Sequence, residues 1–316
     1  MAFAYVVQKT VIMSDILLLT LAPRRQSRRL LFEPGQYAAI GFVRRGRPTP
    51  MRCFSIVSTP SSGLLQFAMR ISGDFTQAAA RLGVGAAVRV QGPFGSFVLD
   101  PIYDTRIVMF AGGIGITPFM SMLRDATERQ LSLPITILYA NRSAASIPFH
   151  EELTVLQQRN PYLRVQFFCS QASNRSDQSC IRGSIDAPHI EQMTASAYTS
   201  SIYFICGPDG FTQQLERELL ARGVHESRIL HESFAQTTKQ TFGTKFGIRT
   251  VTYGLAAASL IAMIGFITIL DLSRSLSTVP SAIMTSSAST SSSADTAKST
   301  ASQQTYTYQP PVSSVS

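Results

Sequence analysis

Gly112-Gly113-Ile114-Gly115-Ile116-Thr117-Pro118 constrains the fold of this chain more than any other stretch. Before it runs Arg106-Ile107-Val108-Met109-Phe110-Ala111, with the length and β-branching of a strand buried on both faces of a parallel sheet. After it, residues 119–126 read as a helix, and Pro118 falls in its first turn, where the missing N–H is no loss. A strand, a glycine turn and a helix N-terminus in succession make an anion site. Glycine lets the backbone approach a pyrophosphate, and the free N–H groups of the first turn point at it. The spacing is not Gly-x-Gly-x-x-Gly, so that dinucleotide fingerprint is absent.

The rhythm of the chain changes near Asp104. Before it, short strands are expected at 4–10, 15–21, 37–42, 51–57, 64–69 and 87–91, separated by Pro34-Gly35, Pro48, Pro60 and Gly83. With one helix at about 76–82, this suits a small antiparallel barrel. After it, strands at 106–111, 135–140, 163–169, 202–206 and 228–231 alternate with helices at 117–130, 148–159 and 211–221. Such alternation means a parallel sheet with helices on both faces.

Thr250–Leu270 carries no charge in 21 residues, and as a helix it would span about 31 Å at roughly 1.5 Å per residue, enough to cross a bilayer. Lys239, Lys245 and Arg249 precede it and only Arg274 follows closely, which places the preceding domains on the cytoplasmic side. Residues 271–316 are dominated by Ser and Thr, bury too little to offset chain entropy, and are expected to be disordered outside the cell. Residues 11–22 are apolar but short and interrupted by Asp15, so no secretory signal is expected.

The net charge of +9 divides into +8 for residues 1–100, −2 for 101–235 and +3 for 236–316. Arg24, Arg25, Arg28, Arg29, Arg44, Arg45 and Arg47 supply most of the first figure, either as solvated loop residues or as a surface for phosphate, anionic lipid or an acidic protein. No nucleic-acid recognition motif accompanies the charge, so a nucleic-acid partner is not expected. Cys53, Cys169, Cys180 and Cys206 lack the paired short spacing of zinc or iron–sulfur ligands. Nor do they look like a disulfide framework, which favours a reducing compartment.

Five ordered motifs now stand together: Pro34-Gly35-Gln36-Tyr37, Pro50-Met51-Arg52-Cys53-Phe54-Ser55-Ile56, Gln91-Gly92-Pro93-Phe94-Gly95, the glycine turn, and Cys206-Gly207-Pro208-Asp209-Gly210-Phe211. In this order they resemble the ferredoxin–NADP reductase superfamily of flavoenzymes, from about Ala4 to Phe234. The resemblance implies an FAD-binding β-barrel domain at 1–101 and an NAD(P)-binding α/β domain at 102–236. A linker at 237–249, a transmembrane helix at 250–270 and the tail at 271–316 lie outside it.

By that resemblance Arg52 binds the flavin pyrophosphate, Phe54 lies along the isoalloxazine and Ser55 hydrogen-bonds near flavin N5, with Cys53 between them. Arginine suits phosphate bidentately, and an aromatic ring offers a flat stacking surface. The family more often has tyrosine at the place of Phe54. Met69, Ile71, Gly73 and Thr76 complete the FAD site, with Thr76 opening a helix; the usual pair of glycines and serine is here Ser72-Gly73 and Thr76. Gly112, Gly113, Gly115, Thr117 and Pro118 hold the nucleotide, and Cys206, Gly207 and Pro208 lie beside the nicotinamide, the cysteine not as a covalent nucleophile. His231-Glu232-Ser233-Phe234 resembles the family's terminal Glu-x-Phe, with Phe234 over the other flavin face and Glu232 near the site. Arg142 and Ser143 stand where a ribose-binding residue is expected. An arginine without a nearby acid tilts the choice to NADPH over NADH and leaves it open.

The implied function is a membrane-anchored, FAD-dependent NAD(P)H oxidoreductase, in which hydride passes from nicotinamide to flavin N5 and electrons go on to an acceptor. The acceptor would be an acidic carrier protein or a membrane redox partner. The alternative is a nucleotide-binding electron-transfer or sensory subunit active only within a membrane complex.

Overall fold

The computed structural model describes residues 2–13, 15–25, 29–100, 106–171, 180–194 and 199–232, all within one compact unit. The first half is an antiparallel sheet of seven strands. They are β1 (Ala2–Met13), β2 (Ile16–Pro23), β3 (Tyr37–Arg44), β4 (Arg47–Pro48), β5 (Arg52–Ser55), β6 (Leu65–Arg70) and β7 (Ala87–Phe94). The order is β4-β3-β7-β1-β2-β6, with β5 paired to β3 and a single bridge, Ile56 to Phe67, drawing β5 towards β6. The sheet thereby curls into the expected barrel. Its interior is filled by alternate residues such as Leu17, Leu19 and Leu21 of β2 and Phe67 and Met69 of β6. A helix, α1 (Asp74–Ala80), closes one end, with Phe75 4.9 Å from Phe42 between ring centroids.

The second half is a six-stranded parallel sheet. Its strands are β8 (Ile107–Gly112), β9 (Ile135–Asn141), β10 (Leu163–Cys169), β11 (Ile181–Arg182), β12 (Ile202–Cys206) and β13 (Ile229–Glu232). Helices α2 (Thr117–Glu128), α3 (His150–Arg159), α4 (Ala187–Thr194) and α5 (Asp209–Ala221) cover it. Every residue of β8 is buried, and alternate ones serve two cores. Ile107, Met109 and Ala111 pack with Phe119, Met122 and Leu153, while Val108 and Phe110 pack with Ile190, Leu215 and Leu219. The first of these cores also takes in Ile16, Val57 and Ala68, so the barrel and the parallel sheet share apolar packing.

Strand order β11-β10-β9-β8-β12-β13 reverses direction between β8 and β12. The carboxyl ends of those two neighbours therefore flank the crevice where ligands bind in such sheets.

Three elements were not anticipated from sequence: β4, β11 and α4. The reading of the cysteines is corrected as well, because Cys169 and Cys180 form a disulfide. Parallel pairing of β10 with β11 sets Cys169 against Arg182 and brings the two Cα atoms to 5.9 Å, a separation suited to the bond. The proposed linker, transmembrane helix and tail (237–316) lie outside the described residues, as does Phe234. Among the described residues no helix is long and apolar enough to cross a membrane.

Candidate functional site

Strand register assembles the centre of the site. Cys206 ends β12 with Ala111 of β8 on one side and Glu232 of β13 on the other. In the barrel, antiparallel pairing sets Ser55 of β5 beside Tyr37 of β3. The Ser55 Oγ and Glu232 Oε2 atoms are buried and have no hydrogen-bond partner among the described residues. A buried polar atom left unpaired is costly, so two such atoms in one region mark a place built for a ligand's polar groups.

Electrostatics tie these residues together. Burial pushes the Glu232 carboxyl up to about 7. Burial, followed by the Glu232 charge, raises the Cys206 thiol well above its usual range and raises the Cys53 thiol too. Tyr37 is raised by burial, then by Cys53 and Glu232. Both thiols therefore stay protonated near neutral pH, while Glu232 can hold or release a proton there.

Beside this cluster opens a cavity of about 430 Å³, walled by β5, β6, α1 and the start of α2. Arg52, Cys53, Phe54 and Ser55 all face it, as do Met69, Gly73 and Thr76. Phe75, Arg70, Ile114 and Thr117 also contribute. Phe54 and Phe75 stack at 5.8 Å with 25° between their planes and make a flat apolar wall. Arg52 is exposed, and its guanidinium has no described partner. A planar apolar slot, a free guanidinium and an orphaned hydroxyl are the complement of an isoalloxazine joined to a pyrophosphate, so the residues fit FAD.

Four expectations change in detail. Thr76 is the third residue of α1, not its opening one. Its hydroxyl accepts from the N–H groups of Ser72 and Gly73 at 3.1 and 3.2 Å and donates to the Gly73 carbonyl. Ile71 packs against the barrel core instead of the cavity wall, because its N–H bonds to Asp15 and turns it inward. The glycine turn serves the protein as much as a ligand. A Cβ on Gly115 would lie 2.2 Å from the Cys206 carbonyl oxygen, and one on Gly112 3.0 Å from Pro208. Those glycines let the two turns at the switch point touch. Gly113 alone, at φ +55°, has open space beside it, and its carbonyl accepts from the Tyr139 hydroxyl at 2.8 Å. Finally, Thr117 donates its hydroxyl to Ile114 at 3.0 Å and so closes the helix start, with Pro118 buried behind it.

Arg142 is exposed at the end of β9, its carbonyl accepting from Gln171, and Ser143 is half-buried beside it. Gly207 packs on Phe211, which fixes the Cys206-Gly207-Pro208 turn. Tyr37, Phe75, Ile114 and Asn141 were missed as site residues. Tyr37 stood inside a motif already noted, whereas Asn141, at the end of β9, is marked only once the fold is known.

Comparison with known proteins agrees with this geometry. Residues 4–99 match the oxidoreductase FAD-binding domain family, and residues 109–217 match the oxidoreductase NAD-binding domain family. The chain carries the two domains typical of the ferredoxin–NADP reductase family. Residues 4–217 thus form an FAD-dependent NAD(P)H oxidoreductase module, with FAD and NAD(P) as its cofactors.

Among relatives, the glycine betaine monooxygenase reductase subunit of Chromohalobacter salexigens is 27% identical over 215 residues, covering 65% of this chain and 57% of the relative. The ferredoxin–NAD(P)+ reductase component of a Ralstonia naphthalene 1,2-dioxygenase/salicylate 5-hydroxylase system is 34% identical over 139 residues, covering 43% and 41%. The chain therefore spans less than two thirds of the length of these relatives. The cytochrome b5 reductase domain of Ulva prolifera nitrate reductase shares the fold, with a TM-score of 0.65 at 21% identity, covering 73% of this chain and 97% of that one.

Proposed function

We propose that the chain is a membrane-anchored reductase that takes electrons from NAD(P)H and passes them to a separate acceptor. The observation that carries the redox reading is a cavity fitted to FAD and lined by Ser55, together with the pairing of Cys206 and Glu232 at the carboxyl edge of the parallel sheet. When bound, FAD supplies the electron relay, accepting a hydride's pair from nicotinamide and releasing electrons singly or together.

The chain's own residues bind and orient. Arg52 and the first turn of α1 would hold the flavin pyrophosphate, and Phe54, Phe75 and Met69 would line the ring. Ser55 Oγ, which can donate or accept, would meet a ring nitrogen whose protonation changes. The glycine turn and the start of α2 would hold the nucleotide pyrophosphate, with Cys206 and Pro208 beside the nicotinamide. Glu232 can keep a proton at Oε2 near neutral pH without exposing it to bulk water. Arg142 tilts the nucleotide to NADPH, its exposed guanidinium being suited to a 2′-phosphate.

The anchor rests on the uncharged stretch 250–270 and its basic leading flank, with the module cytoplasmic and the tail outside. The acceptor is an acidic carrier or a membrane partner, in keeping with the +8 of residues 1–100. A second reading, an electron-transfer subunit active only within a complex, is favoured by relatives that are themselves reductase parts of oxygenase systems. Steady-state reduction of ferricyanide separates the two. The full chain loaded with FAD turns over with NADPH or NADH if it is an enzyme by itself; a flavin-loaded chain inert with both would overturn that reading.

A further inference from the structure

The helix that begins at the nucleotide turn is bonded along one face to the barrel. Ser121, Arg124 and Glu128 lie at positions three and four apart on α2, and so share one side of it. Ser121 is fully buried and donates to the Ser58 carbonyl at 2.7 Å. Glu128 accepts from the Ser61 hydroxyl at 2.6 Å and from Thr59 at 3.3 Å.

Between them, Arg124 is only 14% exposed and engages all three of its guanidinium nitrogens. One nitrogen donates to the Val57 carbonyl and, at 3.1 Å, to Gln66 Oε1. The other two grip Glu152 of α3 at 2.6 and 2.8 Å, and the guanidinium lies 5.7 Å from the centroid of Phe149. All the barrel partners fall within residues 57–66, the connection between β5 and β6 and the first residues of β6. Those two strands carry Arg52, Phe54, Ser55 and Met69 of the flavin cavity, while Ile114 and Thr117 at the other end of α2 face the same cavity.

We propose that Arg124 is a positioning residue for electron transfer: with Ser121 and Glu128 it locks the nucleotide-binding helix to the flavin-binding hairpin and so fixes the distance between the two cofactor subsites. Arginine suits the task because one planar group with five donors can satisfy a carboxylate and two barrel oxygens together; lysine cannot. The two domains meet mainly through apolar side chains such as Val57, Ala68 and Phe119, which resist separation but permit sliding. Directional hydrogen bonds from a buried cation restrain sliding. The inference deepens the reductase reading and rests on it for its kinetic consequence, though not for its structural one.

The test uses the full chain with Arg124→Met, the milder Ser121→Ala, Arg124→Lys and, as a control, Glu152→Gln, which removes the charge and one acceptor from the bond to α3 and leaves the barrel bonds alone. In the flavin-free protein, hydrogen exchange should rise within residues 57–66 for Arg124→Met and Ser121→Ala and stay at the parent level for Glu152→Gln. In the flavin-loaded protein, bleaching at saturating NADPH should slow roughly 10- to 100-fold for Arg124→Met, because small misplacements of reacting groups are that costly. FAD content and nucleotide affinity should not change, Ser121→Ala should show a smaller loss, and Arg124→Lys should fall between. An unaltered exchange pattern in Arg124→Met and Ser121→Ala would overturn the lock, whatever the flavin chemistry. Equal slowing in Glu152→Gln and Arg124→Met would overturn the assignment to the barrel contacts. A parent chain that binds no FAD would count against the reductase reading, and the exchange result would still decide the lock.

Discussion

Replacing Glu232 by Gln removes one ionisation and keeps the shape of the side chain, so its effect on stability can be worked out across pH. Burial raises the native carboxyl from 4.5 to about 7, whereas in the unfolded chain it titrates near its ordinary value. Between those two values the folded state holds a proton that the unfolded state has released. Stability therefore falls as pH rises from about 4.5 through 7 and levels off above. A shift of roughly 2.5 units at about 1.36 kcal/mol each amounts to about 3 kcal/mol. Residual exposure of the half-buried side chain screens part of it, leaving about 2–3 kcal/mol. The assay is urea unfolding of the flavin-free chain and of Glu232→Gln across that pH range, where every other titrating group is common to both proteins and cancels. The curves should approach one another towards pH ~4.5 and separate with rising pH, the Gln variant becoming the more stable. Parallel curves, or a Gln variant that is less stable at alkaline pH, would refute the buried, partnerless carboxyl.

Gly115→Ala places a Cβ 2.2 Å from a backbone oxygen of the neighbouring turn. Overpacking of about 1–3 kcal/mol should lower the calorimetric Tm by roughly 3–10 °C, while Gly73→Ala, which has open space and gives up only a better N-cap residue, should lower it less. Arg52→Ala should release FAD, since each lost charge-assisted bond to pyrophosphate is worth about 1.5–3 kcal/mol; flavin affinity measured by fluorescence titration would show it. The full chain should stay in membranes through a high-salt wash and come off only with detergent, and release by salt alone would contradict a spanning helix.

Most of the architecture was legible because it rests on local pattern. The short strands set apart by Pro and Gly in residues 1–100 and the wholly apolar β8 and β12 announce a barrel and a parallel sheet from the sequence alone. The elements that were missed depend on partners distant in sequence. β11 has two residues and exists only because Phe168 offers Ile181 an open edge, and the Cys169–Cys180 bond follows from that register. The same limit applied to the site. Arg52, Phe54 and Ser55 were readable as a motif on one strand. The unpartnered state of Ser55 and Glu232, and the contact of Gly115 with Cys206, arise from strands brought together by the fold. Thr76 was displaced by two residues because Gly73, with no side chain to signal a cap, is the N-cap of a helix that begins at Asp74. Arg124 gave no signal at all, since an arginine on a helix reads as a solvated charge until its partners in residues 57–66 are known.

The central claim is that one cavity places a flavin beside a nicotinamide subsite built from the glycine turn and Cys206. Anaerobic titration of the purified, FAD-loaded full chain with NADPH, and separately with NADH, measures this by the loss of visible flavin absorbance. The account predicts bleaching by about one equivalent of the preferred nucleotide, and the loss of that response when Gly115→Ala displaces the turn against Cys206. A folded chain that retains FAD, yet whose colour persists in excess of both nucleotides, would contradict it.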